Sequence, residues 1–173
     1  MTSFFSRLFG RKPTYEIADI YRSLRAQIFA LPTIMGDRPE ARLGVVLETG
    51  LPDACYTLVA TCEYSASLYL SNGGGFIGAG EHPEGAAAAK EFLEFAANFE
   101  SQLKPTRTYP LPTPGRTRFY IIRKDGILTG EFSEDDLGND RLPLSPLFFK
   151  GHDLITIIRQ VDERSSQSPT ITE

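Results

Sequence analysis

The chain has 173 residues, of which 41% are hydrophobic and 23% charged, with a net charge of −4. This length and composition suit one globular domain that buries a core without a metal or disulfide, and they exclude a disordered or collagen-like chain. The acidic balance argues against nucleic acid as a partner, although residues 1–43 hold seven bases against four acids and are locally +3.

Residues 1–13 read as a basic, aromatic arm. Phe4, Phe5, Leu8 and Phe9 share one helical face, with Arg7, Arg11 and Lys12 around it. Pro13-Thr14 then opens a stronger helix, with Thr14 as its N-cap and Ile17, Ile20, Tyr21, Leu24 and Ile28 on the apolar face. Arg22 and Arg25 point elsewhere. Pro32 and Gly36-Asp37-Arg38-Pro39 end that segment.

The period then changes to two. Leu43–Glu48 predicts a strand, Pro52-Asp53 a turn, and Cys55–Tyr64 an alternating second strand. Cys55 and Cys62 are seven apart and fall on opposite faces, so they cannot bridge within that strand. Unlinked thiols, no apolar leader and no run of ~18 apolar residues together predict a soluble, cytoplasmic bacterial protein. Ala66–Ser71 is a third strand, and Asn72-Gly73-Gly74-Gly75 turns into Phe76–Gly80.

Pro83 occupies the first position of a helix over 84–103, whose stripe is Ala88, Ala89, Phe92, Phe95, Ala96, Phe99 and Leu103. Prolines 105, 110, 112 and 114 make a stiff crossing. Arg118–Arg123 and Ile127–Phe132 flank Lys124-Asp125-Gly126, a hairpin signal. Ser133 is placed to cap a short turn at Glu134–Leu137. Ser145-Pro146 starts a last helix that Gly151 weakens or splits, and residues 163–173 read as a frayed tail.

The expected architecture is therefore α+β. It comprises an antiparallel sheet of five to six strands, a meander plus a hairpin, with helices mainly on one face, all within residues 14–162. The order of elements resembles the profilin, roadblock and longin group of small sheet-plus-helix domains, which implies a fold but no activity.

Three places are candidates for function. Gly73, Gly75 and Gly78 satisfy G-x-G-x-x-G, but Pro83 starts the following helix some five residues too late for a dinucleotide site. The segment Asn72, Gly73, Gly75, Gly78, Gly80, Glu81 and His82 remains a candidate ligand loop, with His82 beside a helix start. Glu134, Asp135, Asp136 and Asp140 form an acidic turn that suits a basic protein partner. The arm, residues 3–12, is a candidate for membrane-surface contact. His152-Asp153 is the other histidine site, but neighbours on a helix diverge.

No nucleophile, metal or cofactor signature occurs, so no catalytic residue, metal or cofactor is assigned. The leading expectation is a non-enzymatic binding or interaction module, of an immunity, antitoxin or adaptor kind, that meets another protein. The alternatives are a small-molecule site or enzyme at residues 72–82, and a membrane-associated protein.

Overall fold

The computed structural model describes residues 15–167. Seven antiparallel strands form one sheet in the order β4-β3-β2-β1-β6-β7-β5. They are β1 Arg42–Gly50, β2 Cys55–Thr61, β3 Ala66–Leu70, β4 Gly75–Ile77, β5 Lys104–Thr106, β6 Arg116–Arg123 and β7 Gly126–Ser133. Among the described residues there are five α-helices: α1 Asp19–Phe29, α2 Leu31–Ile34, α3 Pro83–Ala96, α4 Glu134–Gly138 and α5 Ser145–Gln167. The sheet exceeds the expected five to six strands because β5, which falls in the proline crossing, is at three residues too short to show an alternation. β5 carries Pro105, which an edge strand tolerates because one side of its backbone has no ladder partner.

The helices divide between the two faces. On one face α5 crosses the sheet beside α3. A Cβ at Gly151 would stand 2.8 Å from Leu47 Cδ1, 3.4 Å from Phe92 and 3.5 Å from Leu58. Gly151 therefore does not split α5; it lets the helix backbone approach the sheet. The helix also runs to Gln167, so residues 163–167 continue its last turns.

The opposite face carries α1, α2 and the proline crossing. Side chains alternate along β1, so Leu47 points to α5 and Glu48 to α1, where Arg25 meets it. Cover on both faces explains why eight of the nine residues of β1 are buried.

Local chemistry sets several boundaries. α1 begins at Asp19, later than expected, because residues 15–18 are held outside the helix. The Tyr15 hydroxyl donates to Pro112 O at 2.7 Å and Ala18 N donates to Ser71 O at 2.8 Å. Thr14, expected as the cap, lies outside the described residues. Ile20, expected on the apolar face, is 56% exposed. Pro83 does occupy the first turn of α3, but the helix tightens into a 3-10 segment over Ala97–Gln102. The β6–β7 hairpin turns at Lys124-Asp125, where Arg123 pairs with Gly126 at φ 147°. Ser133 caps α4 by accepting from Asp136 N.

Candidate functional site

The crossing runs over the α1 face and is tied down as it goes. The Tyr120 hydroxyl donates to Pro110 O at 2.8 Å, while Tyr15 holds Pro112. Tyr109 stacks on Phe29 of α1 with ring centroids 4.3 Å apart and planes 4° from parallel, and Tyr120 meets Phe29 edge-on from below. Between α1 and the crossing lies an open groove of about 470 Å³, lined by Ile17, Tyr21, Arg22, Arg25, Phe29, Tyr109 and Leu111 among others. That volume is within the range of small-molecule sites, as is a mostly apolar lining with few polar groups.

A buried ion pair anchors the groove wall. Glu48 is fully buried, and its carboxylate accepts from Arg25 Nε at 2.7 Å, Arg25 Nη2 at 2.9 Å and Thr57 Oγ1 at 3.0 Å. The Tyr21 hydroxyl shares a 2.7 Å hydrogen bond with Thr57. Burial works against the Arg25 charge, but its hydrogen bonds to Glu48 outweigh that cost and hold the guanidinium pKa above its ordinary value. Burial, then the Glu48 charge, pushes the Tyr21 and Tyr120 phenols up, so both stay neutral hydrogen-bonding groups. Arg25 also lies over the Phe29 ring at 4.7 Å, a cation–π contact.

The pair belongs to a polar row across the sheet. Thr57, Glu48, Arg118 and Glu131 stand opposite one another on β2, β1, β6 and β7. Arg118 Nη2 donates to Glu131 at 2.7 Å and Arg116 Nε reaches the same carboxylate at 3.4 Å. Arg25 thus does not point away from the core, as its helical position suggested; it reaches down to the sheet. The signal for it was Glu48, a lone acid ending the apolar run Leu43–Leu47, which needs a buried cation.

The residues singled out from sequence lie elsewhere. Asn72, Gly73 and Gly75 make the β3–β4 turn, with Gly73 at φ 105°, and Gly78 at φ 92° leads into a 3-10 turn over Ala79–Glu81. A Cβ on Gly75 would stand 2.4 Å from Leu68 O, and one on Gly80 2.4 Å from Tyr64 O, so both permit close backbone contact. His82 is the N-cap of α3 by position, without a side-chain cap bond. None of these residues lines the groove.

Asp135 and Asp136 are both paired with Arg141, at 3.0 and 3.3 Å, and Asp140 is exposed. Burial raises the Glu134 pKa. His152 is half-buried, with Nε2 3.2 Å from the Tyr56 hydroxyl and its ring 4.3 Å from that of Phe148. Burial lowers the His152 pKa, with Asp153 opposing, and pushes the Tyr56 phenol up to about 12.

Both cysteines are free and buried; burial, then Glu48, raises the Cys55 thiol pKa, and burial also raises that of Cys62. No group of three His, Cys, Asp or Glu among the described residues could hold a metal ion. No described helix is long and apolar enough to cross a membrane. The aromatic arm lies outside the described residues. Comparison with known protein families, curated proteins and solved structures finds no match for this chain.

Proposed function

We propose that this protein is a non-enzymatic binding module whose ligand seat is the groove between α1 and the proline crossing. The observation that carries this reading is the groove's construction. Aromatic and aliphatic side chains line a space of about 470 Å³, and one wall is pinned to the sheet by the buried Arg25–Glu48 pair. A wall held this way is set before a ligand arrives, so less ordering entropy opposes binding.

Burial keeps the Tyr21 phenol of the groove neutral and pairing with Glu48 keeps the Arg25 guanidinium charged at neutral pH. Such groups orient a ligand; they do not exchange protons with it. This favours binding over turnover.

Ala26 tests the assignment because it lines the groove and is exposed. Ala26→Phe fills the space without entering the core. A compound present at a hundred times its dissociation constant stabilises the native state by about 2.7 kcal/mol, which a thermal melt detects. Compounds that raise the melting temperature of the wild type should not raise that of the variant. A shift that survives Ala26→Phe, or that Gly78→Val alone removes, moves the site away from the groove. Turnover of a bound compound defeats the non-enzymatic part of the reading.

A further inference from the structure

We infer that the groove selects an amphipathic anion, a single carboxylate on a compact apolar body. This inference rests on the groove being the ligand seat and adds the ligand's chemistry.

Polar and apolar lining are separated in the groove. Ile17, Phe29, Tyr109 and Leu111 offer carbon surface, whereas the charged groups of the lining are two guanidiniums, Arg22 and Arg25. No acid is among the lining residues, in a chain whose net charge is −4. A cation would meet only like charge there, and a neutral apolar molecule would leave the Arg22 charge uncompensated.

The charges beneath the groove are also unbalanced. The polar row and the helix residue bonded to it hold Arg25, Arg116 and Arg118 against Glu48 and Glu131, an excess of one positive charge, and Arg22 adds another at the groove rim. Glu48 engages Arg25 through Nε and Nη2, and Glu131 serves both Arg116 and Arg118. Arg22 is exposed at the groove rim and has no ion-pair partner among the described residues. A carboxylate placed there gains a charge-assisted hydrogen bond, and a planar guanidinium can make that bond bidentate. A volume of about 470 Å³ is ample for a two-ring aromatic acid.

The test titrates full-length, isotope-labelled protein with 2-naphthoate and with 2-naphthylmethanol, its uncharged analogue of similar size, followed by NMR. Naphthoate should move the resonances of Ile17, Tyr21, Arg22, Phe29 and Tyr109 and bind about tenfold more tightly than the alcohol, with an advantage that falls as salt rises. Arg22→Gln should bring the two ligands to equal affinity and leave the fold intact.

Equal binding of both by the wild type overturns the anion class while leaving the groove as ligand seat. Failure of both to bind, or shifts confined to residues outside the groove, overturns the inference together with the reading beneath it. Phe4→Ser with Phe5→Ser should leave naphthoate affinity unchanged; a tenfold rise would make residues 1–13 the groove's own occupant and overturn a small-molecule ligand.

Discussion

Replacing Arg25 by Met removes the charge that faces a fully buried carboxylate, and with it the guanidinium over Phe29, and keeps an unbranched apolar stem. Glu48 then loses two of its three hydrogen bonds, the 2.7 and 2.9 Å contacts from the guanidinium, and retains only the 3.0 Å contact from Thr57. Removing one partner of a buried pair costs about 3–5 kcal/mol, because the other charge stays in a low-dielectric site. That is a large share of the roughly 5–15 kcal/mol that holds a domain folded. For a chain of this size each kcal/mol moves the melting temperature by about 2–4 °C, so a fall of roughly 6–20 °C is expected. Urea denaturation should show a lower midpoint with an unchanged slope, since the surface exposed on unfolding is the same. Arg25→Met combined with Glu48→Leu removes both charges and should recover most of the loss; the Tyr21–Thr57 hydrogen bond survives without them. A loss below about 1 kcal/mol in the single variant, or a double variant no better than the single, refutes the buried-pair account.

Two further outcomes follow from the other face and the thiols. Burial lowers the folded-state pKa of His152, so the unfolded chain binds the proton more readily, and the His152 contribution to stability is full above its unfolded value near 6.5 and is lost as pH falls toward the folded value. Glu134, raised by burial, acts in the opposite sense: its contribution is present at low pH and is lost as pH rises through its folded value. Urea midpoints at pH 7.5 and 5 should therefore show a smaller acid-induced loss in His152→Gln than in the wild type, and an equal loss would count against the burial of the imidazole. Cys55 and Cys62, buried and with raised thiol pKa values, should resist iodoacetamide at neutral pH and react together in urea. Rapid labelling of either in the native protein would contradict their placement.

Much of the fold is legible in residues whose local preference agrees with their tertiary setting. Pro83 at the head of α3, the Lys124-Asp125-Gly126 hairpin and the Ser133 cap each need only neighbouring residues, and each lies where its chemistry places it. The departures share a different cause. Gly151 reads as a helix breaker by propensity, yet the 2.8 Å approach that a Cβ would make to Leu47 shows a packing requirement set by a strand a hundred residues away. Ile20 fits the apolar period of α1 and is exposed, because that helix starts where Ala18 is fixed to Ser71. β4 and β5 are strands only because β3 and β7 offer them edges.

The groove shows the same division most sharply. Its glycine-rich rival was conspicuous because glycine motifs are local, and the structure gives several of those glycines turn and close-contact roles. The groove residues come from positions 17 to 111 and carry no motif. What betrays them is a conflict: Glu48 stands in a strand buried on both faces, where an unpaired carboxylate would cost more than the strand gains from its neighbours. Such an acid requires a basic partner from another element. An amphipathic helix with arginines one turn from its apolar stripe is where that partner should be sought. Followed in that direction, the sequence leads to Arg25, and Arg25 to the wall of the groove.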